Sequence, residues 1–280
     1  MNVIDGYQQK LFPYAYNILG SVEDAKDVIQ EVVIKYMAIA NKEIDNELGY
    51  LVRSVVNQSI NVKKRNARTV TGAVWLPEPV DTQRADTNIE RREIISYSMM
   101  VLLEHLNPKE RAVFILKEAF DYSHEDIASV LSITVENSRK LLSRARSGLK
   151  NNNNPPRLAT DLTSSYLLEY VEFIKNGDTG SLERKLSEEV SFMADGGGKV
   201  KIVRELTVGV QAVTDLLLYL YQTYQQSFTF RVHTINHQPA LLYYKNNALT
   251  NCQIFDIENG KIINVYSIVD PGKLKNLLNF

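Results

Sequence analysis

The stretch "MADGGGKVKI", residues 193–202, holds three consecutive glycines and then a lysine, the residue types that cradle phosphate in nucleotide-binding loops. A P-loop needs the spacing G-x-x-x-x-G-K-[ST], but Met193 stands at its first position and Val200 follows the lysine. This spacing excludes a P-loop. Three glycines also supply backbone freedom, with positive φ and close approach of two chain segments. We therefore expect a contact loop in which Asp195 caps the turn and Lys199 leaves it toward an acidic neighbour.

Side chains suited to acid–base chemistry lie in the last third of the chain. A general base or an oxyanion donor could come from five groups: Asp195, His233, His237, Asp256 and Tyr266. No spacing ties them to one site, and histidines in or beside strands are more often structural. Cys252 is the single cysteine, and no metal-type spacing surrounds it. The sequence therefore predicts no catalytic residue, no metal site and no cofactor, with an enzyme kept as an alternative.

Charge is balanced over the whole chain. There are 32 Lys and Arg against 33 Asp and Glu, for a net charge of −1 at pH 7. A protein that held DNA by bulk charge alone would be basic, so a nucleic-acid role must depend on local patches and on a partner. The N-terminus lacks the basic and apolar regions of a signal peptide, and no apolar run is long enough for a membrane span. We expect a cytoplasmic protein with no membrane association.

Two polar, proline-containing stretches divide the chain and predict its domain organisation. The predicted parts are a helical domain at 1–68, a linker at 69–92, a second helical domain at 93–150, a linker at 151–157 and a third domain at 158–280. The third domain begins with helices and continues with strands rich in aromatic and β-branched residues, including an Asn-Gly hairpin signal at 258–261. The predicted fold class is two all-α domains followed by an α+β domain.

The first domain combines an acidic helix face with a basic helix end. "SVEDAKDVIQEVVIKYMAIA" begins with Ser21 as a predicted N-cap, and its apolar residues follow the i, i+3, i+4 spacing of a buried face. Asp24, Asp27 and Glu31 share another face, which is either a solvated stripe or a docking face for a basic partner. Downstream, "YLVRSVVNQSINVKKRNAR" ends in clustered basic residues suited to phosphate contact.

The second domain contains a predicted helix-turn-helix in "SHEDIASVLSITVENSRKLLSRARSGL", residues 123–149. Ser123 caps a short first helix, a turn follows at Ser132, and Thr134 caps the second helix. Polar N-terminal residues and trailing basic residues on that second helix are typical of an element that enters the major groove. Ser132 stands where many such turns have glycine. A pair of helices from another kind of bundle remains the alternative.

Together these segments resemble extracytoplasmic-function (ECF) sigma factors, over about the first 150 residues and in the same order. "DAKDVIQEVVIKY" is similar to the helix of that group that binds core RNA polymerase, and the resemblance assigns this role to Asp24, Asp27, Gln30 and Glu31. The same resemblance implies contact with the minus-ten element by Arg53, Asn57, Asn61, Lys64 and Arg65. It implies contact with the minus-thirty-five element by Asn137, Arg139, Lys140, Arg144 and Arg146. Core polymerase and promoter DNA are thus the expected partners.

A narrower resemblance covers the whole chain. A subset of these sigma factors carries a SnoaL-like, ketosteroid-isomerase-like C-terminal domain marked by three motifs, which occur here as "WLPEP", "DGGGK" and "DPGKL". The interdomain or regulatory residues implied by these motifs are Trp75, Leu76, Pro77, Glu78, Pro79, Asp195, Gly196, Gly197, Gly198, Lys199, Asp270, Pro271, Lys273 and Leu274.

The resemblance implies a sigma factor whose fused domain contacts the sigma domains and replaces a separate anti-sigma factor. The SnoaL-like fold commonly encloses an apolar pocket, which gives room for a small-molecule ligand. Two alternatives remain: a DNA-binding regulator whose third domain senses a small molecule, and a SnoaL-like enzyme.

Overall fold

The computed structural model describes residues 3–39, 44–66, 74–83, 93–150, 164–198, 200 and 206–277. Lys199 and the predicted linker at 151–157 lie outside the described residues. The chain divides into two compact units. The first comprises residues 1–71, 84–95 and 99–155, and the second comprises residues 72–83, 96–98 and 156–280. Residues of the "WLPEP" linker thus group with the C-terminal part of the chain.

The first unit is helical. Its helices are α1 (Val3–Leu19), α2 (Val22–Ala38), α3 (Glu47–Asn66), most of α4 (Tyr97–Leu102), α5 (Pro108–Glu118), α6 (His124–Leu131) and α7 (Val135–Lys150), with a 3₁₀ turn at Leu103–His105. None of the helices in the described ranges is both long enough and apolar enough to cross a membrane.

Local capping determines where these helices begin. The Ser21 hydroxyl accepts a hydrogen bond from the backbone N–H of Asp24, which satisfies one free donor at the start of α2. Ser123 and Asp126 form a reciprocal capping box at the start of α6. Ser132 ends α6 in the left-handed conformation at φ 54°, the geometry that glycine often supplies at this point. The predicted helix-turn-helix is therefore confirmed in its two helices and its turn.

A buried charged cluster joins α1 and α3 to α5. Arg111 is fully buried, and its Nε donates to the carbonyl of Asn17 at 2.9 Å. Its guanidinium also pairs with Glu104, which in turn accepts from Lys63 Nζ at 2.7 Å. Burial lowers the pKa of Lys63 to about 8. Burial alone would raise the pKa of Glu104, but Arg111 and Lys63 outweigh it and lower that pKa.

The second unit is an α+β domain. Its helices are α8 (Ser164–Asn176), α9 (Thr179–Lys185), α10 (Val210–Leu220, continued by a π-turn at Tyr221–Gln225) and α11 (Pro271–Leu274, continued by a 3₁₀ turn at Lys275–Leu277). Its strands are β1 (Leu186–Asp195), β2 (Thr207–Val208), β3 (Thr229–Ile235), β4 (Gln238–Lys245), β5 (Ala248–Glu258) and β6 (Lys261–Ile268).

One sheet with the strand order β2-β1-β6-β5-β4-β3 organises this unit. The β1–β6 pair is parallel, and the other pairs are antiparallel. The predicted hairpin between β5 and β6 is confirmed, with Asn259 and Gly260 both at positive φ. Residues from α8, α9 and α10 pack on one face of the sheet around Tyr170, Phe192 and Phe255. Cys252 is fully buried in β5, and burial raises the pKa of its thiol. The predicted fold class is confirmed.

Candidate promoter-reading surfaces and linker-binding site

The outer face of α2 combines acidic and apolar side chains. Asp27, Gln30 and Glu31 are exposed, while Asp24 is half-buried, and its carboxylate accepts a hydrogen bond from Asn66 at 3.1 Å. Burial, and secondarily the charge of Asp27, raise the pKa of Asp24. Ile34 and Met37 lie on the same helix and are 56% and 46% exposed. Large exposed apolar groups beside exposed acids suit a protein-docking face. Glu31 is held by Lys35 at 2.5 Å.

The N-terminal half of α3 faces the helix-turn-helix. Asn57 Nδ2 donates to the carbonyl of Val130 at 2.7 Å, and Arg53 Nη2 donates to Ser132 Oγ at 2.8 Å. The first acceptor is in the last turn of α6, and the second is in the turn that follows this helix. Two of the residues that the resemblance assigns to the minus-ten element are thus occupied by contacts within the first unit.

The C-terminal half of α3 is more open. Asn61, Lys64 and Arg65 are exposed, as the proposed single-strand contact requires. Lys63 differs from these neighbours because its ammonium group is turned inward to Glu104 and to the carbonyl of Leu19 at 2.9 Å. The sequence alone does not distinguish this buried lysine from the exposed lysines and arginines beside it, because all of them belong to the same basic run.

The second helix of the helix-turn-helix, α7, presents its candidate DNA contacts to solvent. Its exposed candidate residues are Asn137, Arg139, Lys140, Arg144 and Arg146. Arg146 Nη2 lies 2.6 Å from Glu118, and Arg139 lies 3.9 Å from Glu125. Exposed pairs of this kind contribute little free energy, so both arginines can exchange a carboxylate for a phosphate.

Within the second unit, the three motifs meet at the main chain of Leu76. The backbone N–H of Leu76 donates to Asp195 Oδ2 at 2.8 Å, and Lys273 Nζ donates to the carbonyl of Leu76. Lys273 also bonds to Asp195 Oδ2 at 2.6 Å and lies 4.4 Å from the centre of the Trp75 ring. Asp195 and Lys273 are 3% and 7% exposed, so this ion pair is shielded from solvent. We call the four residues Trp75, Leu76, Asp195 and Lys273 the linker clamp.

Close backbone packing positions the clamp. The backbone N–H groups of Val269 and Asp270 donate to the carbonyl of Asp195 at 2.9 and 3.2 Å. Gly197 has φ +60°, and a Cβ at this position would lie 2.2 Å from the Asp270 carboxylate. Gly198 has φ +72° but open space around it. Asp270 itself caps α11 through the N–H of Gly272 at 2.9 Å. Only glycine at 197 therefore allows "DGGGK" to approach "DPGKL" this closely.

Further linker contacts come from residues that the sequence did not single out. Asn236 binds the main chain of Val80 with both its side chain and its backbone, at 2.9 Å each. Asn276 donates to Glu78 at 3.1 Å. Tyr97 OH donates to the carbonyl of Pro77 at 2.6 Å. Asn236 has the positive φ that is typical of a short hairpin turn such as the one between β3 and β4. An asparagine in such a turn is the one sequence feature that could have indicated this residue.

Two family models match the helical part of the chain: Sigma-70 region 2 over residues 3–69, and Sigma-70, region 4 over residues 97–149. Over these two ranges the chain is similar to sigma-70 proteins. A probable ECF RNA polymerase sigma factor, SigI of Mycobacterium tuberculosis, is 24% identical over 277 residues, which cover 95% of this chain and 92% of that protein. The ECF RNA polymerase sigma factor SigJ of M. tuberculosis is 28% identical over 231 residues, which cover 79% of this chain and 72% of that protein.

The fold of this chain is also shared with a solved structure. The crystal structure of M. tuberculosis ECF sigma factor SigJ has a TM-score of 0.79 at 23% identity and covers 97% of both chains. The likeness thus extends through the C-terminal α+β domain. The resemblance to ECF sigma factors is confirmed.

The acid–base candidates of this chain make different contacts. Asp195 belongs to the linker clamp, and His233 Nε2 lies 3.0 Å from Asp81. Asp256 accepts from Gln238 and Asn264 at 3.1 and 3.0 Å, and burial raises its pKa.

The remaining two candidates are placed by packing. Tyr266 packs on Tyr97 with ring centres 5.4 Å apart, and His237 has its backbone N–H on Thr82. Burial, and secondarily the charge of Asp256, raise the pKa of Tyr266, so Asp256 and Tyr266 are near each other. Among the described residues, no cluster of His, Cys, Asp or Glu could hold a metal ion.

Proposed function

We propose that this chain is an RNA polymerase sigma factor that selects promoters for initiation, and that its C-terminal domain restrains it by holding the linker between regions 2 and 4. The observation that carries the proposal is the clamp on Leu76, whose backbone N–H and carbonyl are both bound by one buried ion pair. The next residue, Pro77, has its own φ fixed by its ring, so the bound segment is stiff as well as held.

The contact between α3 and α6 supports a closed form that must open. Minus-ten and minus-thirty-five elements differ in position by about 25 base pairs, roughly 85 Å of duplex at 3.4 Å per base pair. Asn57 and Val130, however, are in hydrogen-bond contact at 2.7 Å. One chain cannot read both elements in this form. Opening therefore separates region 4 from region 2, and a linker that is held opposes this separation.

Three surfaces would act in the open form. The acidic face of α2, with Asp24, Asp27, Gln30 and Glu31, docks on core polymerase. The minus-ten strand is taken by Arg53, Asn57, Asn61, Lys64 and Arg65. The minus-thirty-five duplex is contacted by Asn137, Arg139, Lys140, Arg144 and Arg146. Core polymerase supplies the remaining attraction to DNA, which accounts for a net charge of only −1. The chain acts in the cytoplasm, where polymerase and chromosome are located.

The test is run-off transcription with purified core polymerase. The template is the DNA upstream of the gene that lies beside the one encoding this chain. Lys273→Met keeps the length of the side chain but removes the ammonium group from Leu76 and Asp195. We expect at least threefold more transcript than with the unchanged chain, because the linker is released. Lys261→Met changes an exposed lysine of the same domain and serves as the matched control. Equal transcript from the Lys273 variant and the unchanged chain would refute restraint by the clamp.

A DNA-binding regulator that works without polymerase is the second candidate, and the exposed basic face of α7 is the observation that favours it. Pull-down with core polymerase separates the two. Binding of core that weakens when Asp27 and Glu31 are changed to lysine supports the sigma factor. Tight duplex binding with no core association would replace it with the regulator.

A further inference from the structure

A long stretch of the C-terminal domain contains no acidic residue. Between Asp215 and Asp256 the sequence has no Asp or Glu, although the 280-residue chain has 33 of them. The stretch runs from the second half of α10 through β3 and β4 into β5. Arg231 and Lys245 belong to it, and both are exposed. The exposed part of this stretch therefore suits an anionic partner.

Aromatic rings lie beside the exposed cations of this region. Lys245 Nζ lies 5.8 Å from the centre of the Phe228 ring. Lys175, at the end of α8, has its Nζ 4.9 Å from the centre of the Phe230 ring. Glu172 pairs with Lys175 at 2.9 Å, but both side chains are exposed. Because such a pair contributes little free energy, Lys175 can exchange this carboxylate for a phosphate.

Exposed tyrosines extend the same surface. Tyr219 and Tyr224 are 54% and 58% exposed, and their ring centres are 6.3 Å apart. The π-turn that carries Tyr224 also supplies Tyr221, which lines one cleft together with Phe228 and Lys175. Exposed rings next to cations are the combination that binds single-stranded nucleic acid, since bases stack on the rings and phosphates pair with the cations.

The edge of the sheet is open beside these groups. In the strand order, β3 is at one end of the sheet and β2 is at the other. On the outer side of β3, the described residues include one bridge partner, Asp81, which pairs with Ile235. The backbone from Thr229 to His233 therefore has no neighbouring strand on that side within the described ranges. Arg231 is in this open part, and its guanidinium lies 5.2 Å from the centre of the Tyr244 ring.

We infer that this surface binds single-stranded DNA, with bases stacked on its rings and phosphates on its three cations. We call it the aromatic edge, and its residues are Lys175, Tyr219, Tyr224, Phe228, Arg231 and Lys245. Stacking tolerates any base because every base has a π-face, so the aromatic edge has no strong sequence preference. The choice of DNA rests on the proposed function, since a sigma factor acts where promoter strands separate.

Binding is tested on the full chain with a fluorescein-labelled oligothymidine of about 12 nucleotides, a length within the site sizes of single-strand-binding domains. Tyr224→Ala should weaken binding at least fivefold through the loss of base stacking. Tyr224→Phe keeps the ring and should bind like the unchanged chain. Val208→Ala shortens an exposed side chain at the opposite edge of the sheet and should leave binding unchanged. Equal binding by Tyr224→Ala and Tyr224→Phe would overturn the inference.

Salt dependence measures the phosphate contacts of the aromatic edge. Lys245→Gln removes one cation, so the slope of log Kd against log salt concentration should decrease by about 0.7. Lys261→Gln changes an exposed lysine of β6 and should leave the slope as it is. The same slope in Lys245→Gln and in the unchanged chain would overturn the phosphate contact. Thermal unfolding of each variant verifies that the domain is folded.

The position of the bound strand is mapped by crosslinking, because α3 also carries candidate single-strand contacts. An oligonucleotide that contains 5-iododeoxyuridine crosslinks to nearby aromatic side chains on irradiation, and peptide mass spectrometry should locate these crosslinks at Tyr224 or Phe228. Crosslinks confined to residues 1–150 would overturn the inference. Oligouridine RNA that binds at least tenfold more tightly than oligothymidine would overturn the choice of DNA, and equal competition by duplex DNA would overturn selectivity for single strands.

Failure of the inference and failure of the proposed function give different results. Without the proposed function, no core-dependent transcript appears, whereas the crosslinks at Tyr224 or Phe228 persist. Without the aromatic edge, transcription by the unchanged chain persists and these crosslinks are absent. A dimer that Tyr224→Ala dissociates, with no binding of oligothymidine, would assign the surface to self-association and overturn the inference.

Discussion

The side-chain amide of Asn57 donates a hydrogen bond to the backbone carbonyl of Val130 at 2.7 Å. Val130 is in the last turn of α6, where carbonyl groups have no partner within the helix. Arg53, one turn earlier on α3, bonds to Ser132 in the adjoining turn. These bonds join the end of the first helix and the turn of the helix-turn-helix to the residues proposed to take the minus-ten strand. Any access of DNA to Asn57 requires that this contact break.

Ser132→Gly is expected to favour the open form. The change removes the acceptor of Arg53 but preserves the left-handed turn, since glycine is favoured at φ 54°. Loss of one exposed hydrogen bond amounts to about 1 kcal/mol, a several-fold shift of the equilibrium. Spin labels on Asn61→Cys and Ser129→Cys measure the separation of α3 and α6, and the buried Cys252 does not take the label. A longer-distance population should appear.

Ser132→Asn is the matched control for this change. Asparagine tolerates the left-handed conformation and retains a side-chain oxygen for Arg53. Its distance distribution should equal that of the unchanged chain. A Ser132→Gly variant with the same distribution as both would contradict a role for this contact in closure.

Gly197→Ala should destabilise the second unit more than Gly198→Ala. Both positions have positive φ, which costs an alanine about 1 kcal/mol. At Gly197 the added Cβ also meets the Asp270 carboxylate, which should cost roughly 2 kcal/mol more by overpacking. Denaturant unfolding followed by Trp75, the single tryptophan, measures the difference. Equal losses at the two glycines would show that close packing of the two motifs does not matter.

Glu104→Gln should destabilise the first unit by about 3–5 kcal/mol, because it leaves Lys63 and Arg111 as buried cations without their shared carboxylate. Native-state hydrogen exchange of the α3 and α5 amides measures this free energy. Glu136→Gln changes an exposed glutamate of α7 and should alter it by less than about 1 kcal/mol. A similar small effect at both positions would contradict the structural role of the cluster.

The same cluster predicts how stability depends on pH. The pKa of Glu104 is lowered from 4.5, so its contribution to stability is present above that value and is lost as pH falls through the lowered pKa. The pKa of Lys63 is lowered from 10.5 to about 8, so the unfolded state binds more protons there between these values. Stability from Lys63 therefore rises with pH over that interval. Unfolding titrations should show both slopes, and Glu104→Gln should lose the acidic one.

Local features of this fold could be predicted from the sequence because their determinants are neighbours. Ser21 with Asp24, and Ser123 with Asp126, are three residues apart and specify where α2 and α6 begin. The α+β order of the last part likewise follows from strand composition and one Asn-Gly turn.

The site could be predicted only in part, because its contacts join distant residues. The sequence marks "WLPEP", "DGGGK" and "DPGKL" as motifs, but Leu76 and Asp195 are 119 positions apart and no pattern pairs them. The glycine run predicts backbone freedom at Gly197, whereas its contact with Asp270 depends on how β1 and α11 pack. Lys63 lies in a basic run that is typical of a DNA contact, but its side chain forms a buried ion pair. Tertiary packing, which the run does not reveal, decides between these two roles.

Cys252 limits the kinds of signal to which the chain responds. Oxidants and thiol-reactive electrophiles attack an accessible thiolate, and this thiol is fully enclosed in β5 with a raised pKa. It is also the single cysteine in the chain, so an intramolecular disulfide cannot form. Control of this sigma factor by thiol-based redox sensing is thereby excluded in the folded protein, and its transcription should be indifferent to peroxide at concentrations that oxidise exposed cysteines.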